Sequence, residues 1–195
     1  MVCIIKFNDD IKIVYKPRAL ETEDAFNSII NYFNKNRKDE KYRDLKLFKY
    51  HTTDTQGWTE FINFEPCDNE EDVHDYYTKM GELLCIIYML NGKDFHSENI
   101  ICSKSDPILI DLETLLHSLV FESGVLIEGA CSDAMKIVDR SVMKTGFLPM
   151  QIVNPKNKKK LEVGAMGRQR EQESPFVSVS AFKDENGAIK LEKCF

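Results

Sequence analysis

The sequence has no apolar run close to the roughly 18 residues that a membrane span requires. Its start, MVCIIKFNDD, lacks the basic region and the long apolar region of a signal peptide. It also lacks a basic excess, since 26 Lys and Arg stand against 32 Asp and Glu and give a net charge of −6. Nucleic-acid-binding domains usually carry a basic footprint. We therefore expect a cytoplasmic protein with neither a transmembrane segment nor a nucleic-acid partner.

The six cysteines include no C-x-x-C pair, the spacing that zinc sites and redox motifs use. Several lie in apolar runs, where a buried thiol behaves as a small hydrophobic side chain. We interpret them as reduced cysteines and expect no structural zinc site.

The N-terminal part is rich in predicted strands, and the 43% hydrophobic content of the chain is enough for a core. Two apolar runs, 3–7 and 11–15, flank the turn-forming NDD and predict a hairpin. Residues 45–50 and 58–65 are typical of further strands. A helix is expected from Thr22 as its N-cap, because apolar residues then recur at helical spacing.

The C-terminal part begins after a polar stretch, 65–73, that contains a proline and predicts a hinge. The strongest helical pattern of the sequence runs from about Val73 to Leu90, and Asn91-Gly92 ends it. We therefore expect an α+β fold. It would have a strand-rich N-terminal portion, 1–66, and a helical C-terminal portion, 67–195.

Carboxylates flank two short apolar runs in the stretch DFHSENIICSKSDPILIDLE, residues 94–113. The runs predict an antiparallel hairpin, whose first and last residues lie opposite each other with alpha carbons about 5 Å apart. We expect Asn99 beside Asp111, Asp94 on the entering loop, and Glu113 on the same face as Asp111. Such a cluster of oxygen donors suits Mg²⁺ together with phosphate oxygens.

The segment DFHSEN keeps the D-x-x-x-x-N spacing of protein kinases, in which the Asp accepts the hydroxyl proton and the Asn binds magnesium. A second kinase Asp binds the metal ions that bridge the nucleotide phosphates, and Asp111 follows at hairpin distance. Lys16 ends an upstream strand, where kinases carry their phosphate-contacting lysine. Its carboxylate partner is either Glu21 or Glu23. The alternative is a solvated loop beside a surface turn, with Asp111 capping local backbone.

Six segments carry a resemblance to a known enzyme family. They are VYKPR (14–18), GWTEFI (57–62), YYTKMGELL (76–84), DFHSEN (94–99), PILIDLETLL (107–116) and SVMKTGFLP (141–149). In this order they resemble the dehydratase domain of the class II lanthipeptide synthetases, from about residue 5 to about residue 170. That family is similar to lipid kinases, so the resemblance implies a two-lobed kinase-like fold. It also implies ATP- and Mg²⁺-dependent phosphorylation of Ser and Thr in a precursor peptide, then phosphate elimination to dehydroalanine or dehydrobutyrine.

The resemblance implies roles for the residues of the predicted hairpin site. Asp94 resembles the catalytic aspartate, with His96 and Asn99 as its active-site companions. Asp111 and Glu113 resemble the acidic pair near the metal, so the implied metal ligands are Asn99, Asp111 and Glu113. His96 either takes part in proton transfer or only hydrogen-bonds its loop.

Two further regions are implied to take part in the reaction. Lys16 resembles the phosphate-contacting lysine, so Lys16, Asn99 and Asp111 are the expected contacts of ATP. Lys144 and Thr145 lie in a segment that resembles the activation-loop region, which the family uses in the elimination half-reaction.

The chain departs from that family in its length and at both ends. Family members have many hundreds of residues, whereas only 15 residues precede Lys16 here and no glycine precedes Gly57. The zinc cyclase domain of full-length members has no counterpart after about residue 170. We therefore expect a truncated relative, a fragment or a split gene product. Its expected partners are a precursor peptide, with a leader and a core rich in Ser, Thr and Cys, and a separate cyclase or a missing N-terminal segment.

Two other functions fit the same residues. A catalytically inactive peptide-binding module would bind peptide without magnesium-dependent nucleotide affinity. A small-molecule kinase on a related scaffold would also carry D-x-x-x-x-N and a hairpin Asp, although GWTEFI and SVMKTGFLP disfavour it.

Overall fold

The N-terminal hairpin predicted from the sequence is confirmed. The computed structural model describes residues 1–8, 11–39, 41–116, 129–167, 172, 178–183 and 189–194. Strands β1 (Cys3–Asn8) and β2 (Ile11–Lys16) pair antiparallel, with Cys3 opposite Tyr15. The last two residues of the predicted NDD turn lie outside the described part.

Two short strands complete a four-stranded antiparallel sheet. They are β3 (Tyr50–Thr52) and β4 (Gly57–Glu60), and the strand order is β1-β2-β4-β3. β4 is shorter than the predicted strand 58–65, and the predicted strand 45–50 is wrong except at Tyr50, where β3 begins. Leu45 does not enter the sheet because the side chain of Asn34 bonds both its amide and its carbonyl. Its side chain is nevertheless buried in the core.

Helix α1 (Glu21–Lys35) follows the hairpin and begins one residue before the predicted cap Thr22. Leu20 occupies the cap position, and no side chain caps the helix there. Instead the Leu20 amide donates to Thr52 Oγ1 at 2.9 Å, which ties the start of the helix to β3. The helix buries Phe26, Ile30 and one charged residue, Glu23.

Helix α2 (Glu70–Met89) is the longest helix of the described residues. It begins three residues earlier than predicted because Asn69 caps it, with Oδ1 accepting from the Asp72 amide at 2.9 Å. The last residues of the predicted hinge, 65–73, therefore belong to helix α2. The predicted Asn91-Gly92 stop is confirmed, since Asn91 adopts a left-handed φ of 55° just beyond the helix.

The remaining described elements follow α2. They are β5 (Ile100–Ser103), β6 (Asp106–Leu109), α3 (Ala130–Asp139), a 3-10 helix (Val142–Thr145), β7 (Gln151–Val153), β8 (Lys160–Glu162), β9 (Ser178–Lys183) and β10 (Ile189–Cys194). Each consecutive pair of strands forms a two-stranded antiparallel ribbon.

One hydrophobic cluster joins these parts. Its members come from α1, the segment before β3, α2, β6 and the loops that carry the predicted site: Phe26, Ile30, Leu45, Phe48, Met80, Leu83, Ile86, Ile87, Phe95, Leu109, Leu112, Leu115 and Phe147. Site loops that share a core with two helices are held by packing as well as by hydrogen bonds. Within the described residues, no helix combines the length and the apolarity needed to cross a membrane.

Candidate functional site

Lys16 forms a buried ion pair with Glu23, which resolves the choice between Glu21 and Glu23. Lys16 Nζ lies 3.1 Å from Glu23 Oε1 and donates to the Ile110 carbonyl at 2.9 Å. Glu23 is 1% exposed, whereas Glu21 is exposed on the other side of the helix start. Lys16 thus connects the N-terminal sheet, helix α1 and the chain that leaves β6.

Arg18 is a member of this cluster that the sequence reasoning missed. Its Nη1 and Nη2 donate to the two carboxylate oxygens of Glu23 at 3.0 and 2.7 Å, and its Nε donates to Glu113 Oε1 at 2.6 Å. The signal was available, because the segment VYKPR that supplied Lys16 also contains this arginine. A guanidinium suits two carboxylates because its donors form a planar fork.

The charges in this cluster alter the titration of both partners. Burial alone would raise the pKa of Glu23, but the hydrogen bond from Arg18 and the charge of Lys16 outweigh it and lower that pKa. Burial alone would lower the pKa of Arg18, yet its hydrogen bonds and ion pairs with Glu23 and Glu113 raise it. Glu23 is therefore an anion in the folded protein.

The predicted hairpin forms, but its register differs by one residue from the prediction. Ile100 pairs with Leu109, and the Ile110 amide donates to the Asn99 carbonyl at 3.0 Å. Asn99 thus lies opposite Ile110, and Asp111 comes one residue later. The difference arises because the turn contains only two residues, Lys104 and Ser105, where a longer turn was expected.

Asn99, Asp111 and Glu113 line one cavity of about 410 Å³ together with Lys16 and Glu23. Glu113 is 56% exposed and its carboxylate is engaged by Arg18. The same cavity has apolar walls, which include Val14, Phe48, Ile101 and Ile108. We call it the hairpin cavity.

Asp94 and His96 lie on a loop whose geometry is fixed from several sides. Asp94 has a left-handed φ of 62° and a side chain that is 67% exposed. His96 Nε2 faces Asp94 Oδ1 at 3.6 Å, while Nδ1 accepts from the Glu98 amide at 3.3 Å. A ring nitrogen that accepts an N–H carries no proton, so the neutral ring has its proton on Nε2, toward Asp94.

The segment that contains Lys144 and Thr145 packs directly against that loop. Thr145 is fully buried, its carbonyl accepts from the Phe95 amide at 2.7 Å, and its Oγ1 donates to the Val142 carbonyl at 2.7 Å. Lys144 Nζ donates to Asn91 Oδ1 and lies 5.1 Å from the ring centre of Tyr88. Thr145 therefore supports the loop from the interior.

Asp94, His96 and Lys144 line a second cavity of about 510 Å³, which we call the loop cavity. Its other walls are largely apolar and include Met143, Met150, Ile152 and Leu161. The predicted site residues are thus divided between two cavities. A hydrogen bond from Asn99 Nδ2 to the Asp94 carbonyl, at 2.7 Å, connects the two groups.

The side-chain oxygens of the hairpin cavity can bind a hard cation only if a bound ligand supplies further oxygens. Within the described ranges, no three His, Cys, Asp or Glu side chains converge as a metal site. Asn99 and Asp111 offer side-chain oxygens there, whereas one carboxylate oxygen of Glu113 is bonded to Arg18. Mg²⁺ commonly takes one or two protein oxygens and completes its shell with phosphates and water.

The sequence matches a known protein family over nearly its whole length. Residues 1–193 match the family described as a domain of unknown function (DUF4135), and the chain belongs to that family. The chain is also 36% identical over 151 residues to the lacticin 481/lactococcin biosynthesis protein LcnDR2 of Lactococcus lactis subsp. lactis. These matches confirm the predicted resemblance to part of a class II lanthipeptide synthetase.

The match covers the two proteins very unequally. It includes 71% of this chain but only 16% of that relative. The matched region therefore corresponds to a small part of that longer relative.

Proposed function

We propose that this chain carries the phosphorylating site of a class II lanthipeptide dehydratase. In this reaction ATP and Mg²⁺ support phosphorylation of Ser and Thr in a precursor peptide, and elimination of phosphate then leaves dehydroalanine or dehydrobutyrine. The similarity to a lacticin 481/lactococcin biosynthesis protein supports a role in making such peptides. The two-lobed, lipid-kinase-like arrangement is part of the same proposal.

One observation carries the proposal: the buried Lys16–Glu23 pair shares a cavity with Asn99 and Asp111. A lysine held by a helix carboxylate is the arrangement with which kinases contact nucleotide phosphates. The apolar walls of the hairpin cavity suit a nucleotide base, while its polar end suits phosphates. We therefore assign ATP to this cavity.

Asn99 and Asp111 would hold the magnesium ion. The bond from Asn99 Nδ2 to the Asp94 carbonyl orients the amide and leaves Oδ1 as its metal-binding atom. When bound, the cation neutralises negative charge on the phosphate oxygens.

Asp94 is the base of the first step. It accepts the hydroxyl proton of the peptide Ser or Thr while that oxygen bonds to the γ-phosphorus of ATP. The bond from the γ-phosphorus to the bridging oxygen breaks, and ADP leaves. Lys16 stabilises the charge that spreads over the transferred group.

The second step is assigned to residues of the loop cavity. A base removes the alpha proton, a double bond forms between the alpha and beta carbons, the beta carbon–oxygen bond breaks, and phosphate leaves. His96 is our choice for giving a proton to the leaving phosphate, because its Nδ1 is occupied by the Glu98 amide and its protonated Nε2 faces Asp94. Lys144 provides a positive charge in the same cavity, and Thr145 positions the loop through the Phe95 amide.

The precursor peptide would occupy the loop cavity, where an apolar lining surrounds Asp94. We propose that this peptide has a leader and a core rich in Ser, Thr and Cys. A separate cyclase would use its dehydrated residues.

The test is incubation of the chain with ATP, Mg²⁺ and a Ser/Thr-rich precursor peptide, followed by mass spectrometry. The expected products carry added phosphate or have lost water, and Asp94→Asn should abolish both. Asp54→Asn on the exposed turn between β3 and β4 is the matched control and should leave the products unchanged. Peptide binding without any mass change would instead favour the inactive binding module, and phosphate on a small-molecule hydroxyl alone would favour the small-molecule kinase.

A further inference from the structure

The Arg18 guanidinium bonds two carboxylates that line the hairpin cavity, Glu23 and Glu113, and makes more hydrogen bonds than Lys16 does. It makes hydrogen bonds to Glu23, to Glu113 and to the Ala19 carbonyl. These contacts join helix α1 to the chain beyond β6, 95 residues away in sequence.

The contacts of Arg18 and Lys16 close a ring around Asp111. Lys16 holds the Ile110 carbonyl on one side of Asp111, and Arg18 holds the Glu113 side chain on the other. Glu23 connects the two cations, since one of its oxygens accepts from both. The segment that presents Asp111 is therefore anchored at both ends by the same carboxylate-centred cluster.

The ring of contacts also determines how Lys16 Nζ is oriented relative to the hairpin cavity. Without Arg18, the buried carboxylate of Glu23 would have Lys16 as its only cationic partner among the described residues. A buried carboxylate left short of partners draws its remaining cation closer, because its desolvation is otherwise uncompensated. Arg18 binds both oxygens of Glu23 and so shares the neutralisation of that carboxylate with Lys16, whose Nζ also donates to the Ile110 carbonyl at the hairpin cavity.

We propose that Arg18 is a positioning residue and that Glu113 is its anchor, not a ligand of the cation. This inference rests on the proposed function, because it assigns roles within the same phosphoryl-transfer site. Arg18 aligns Lys16 through Glu23 and aligns Asp111 through Glu113. The cation is then held by Asn99 and Asp111 alone among the described side chains.

Glu113 as an anchor for Arg18 and Glu113 as a ligand of the cation predict different kinetics. As an anchor, Glu113 acts only through Arg18, so Glu113→Gln should lower turnover about tenfold, Arg18→Gln should lower it at least as much, and the double variant should fall no further than about twofold below Arg18→Gln. The Mg²⁺ concentration for half-maximal rate should stay within about twofold of wild type in all three. Asp111→Asn should raise that concentration about tenfold or more.

The experiment measures peptide phosphorylation against Mg²⁺ concentration for wild type, both single variants, the double variant and Asp111→Asn. Arg43→Gln and Glu71→Gln are matched controls, since that pair has the same chemistry at 2.8 Å on an exposed surface, and they should leave both parameters unchanged. If the Gln variants fail to fold by circular dichroism, Arg18→Lys and Glu113→Asp replace them in the same cycle. Their effects should be smaller but equally non-additive.

Two results overturn the inference. One is a Glu113 variant that raises the Mg²⁺ requirement as strongly as Asp111→Asn, which makes Glu113 a ligand. The other is a double variant whose loss is the product of the two single losses, about a hundredfold, which makes Arg18 and Glu113 independent. A wild-type chain that transfers no phosphate refutes the proposed function itself, whereas an active wild type with multiplicative variants refutes only the coupling of Arg18 to Glu113.

Discussion

Gly146 is the position at which a single added carbon atom should disturb the loop that carries Asp94. It has a left-handed φ of 79°, and a β-carbon built on it would lie 3.1 Å from the Phe95 amide nitrogen and 3.2 Å from that of His96. The left-handed conformation costs an L-residue about 1–2 kcal/mol. The two close approaches involve backbone atoms, which yield only if the loop shifts by a few tenths of an ångström.

Gly146→Ala should therefore lower the free energy of unfolding by about 1–3 kcal/mol, the left-handed cost plus the strain of the shifted loop. Urea denaturation followed by circular dichroism measures this change. Peptide phosphorylation should fall about tenfold or more, because the shift occurs next to Asp94.

Gly81→Ala is the matched control for that substitution. Gly81 lies on an exposed face of α2, and a β-carbon there would meet no atom within 4 Å. Alanine should raise the free energy of unfolding by about 0.5–1 kcal/mol, since glycine is a poor helix former. Equal stability of the Gly146→Ala protein and wild type would refute the idea that this turn supports the loop.

Three further predictions concern single groups. The pKa of Glu23 is lowered in the folded protein, so its charge stabilises the fold above pH 4.5, its ordinary pKa, and this stabilisation is lost as the pH falls below that value. Glu23→Gln should therefore flatten the acid side of a plot of unfolding free energy against pH, and an unchanged slope there would contradict the assignment. Burial and the neighbouring Cys67 raise the pKa of Cys102 to about 11, so its alkylation by iodoacetamide should accelerate about tenfold per pH unit from pH 8 to 10; a rate that levels off between pH 9 and 10, as for an ordinary cysteine, argues against it. Asn69→Ala removes the cap of α2 and should cost about 1 kcal/mol in urea denaturation, whereas an unshifted midpoint would mean that the cap adds no stability.

The elements that the sequence predicted well are those with strong local signals. Alternating apolar residues predicted the first hairpin, and a sustained helical period with an Asn-Gly stop predicted α2. The hairpin β5–β6 was predicted from two apolar runs alone. In each case the determining interactions are between residues close in sequence.

The elements that were misjudged depend on features that the apolar pattern does not record. Residues 45–49 alternate as a strand does, but the Asn34 side chain takes the backbone groups of Leu45 that a strand would need. The register of β5–β6 depends on a two-residue turn that allows Lys104 a left-handed φ of 57°. Neither choice is visible in the local apolar pattern.

For the candidate site too, some features could be predicted from the sequence and others could not. The residue types and their order were predictable from D-x-x-x-x-N and its downstream acid. Their division between two cavities was not, and neither was the Arg18–Glu113 bond, because these follow from how the loops pack onto the shared core. The choice of Glu23 over Glu21 likewise required the helix to begin at residue 21.

Calorimetric titration with ATP, in the presence and absence of Mg²⁺, tests the assignment of the hairpin cavity most directly. The wild-type chain should bind ATP only when Mg²⁺ is present, and Lys16→Met and Asp111→Asn should each weaken binding about tenfold or more. Magnesium-independent binding, or equal affinity in wild type and both variants, would contradict a nucleotide site between the N-terminal sheet and the β5–β6 hairpin.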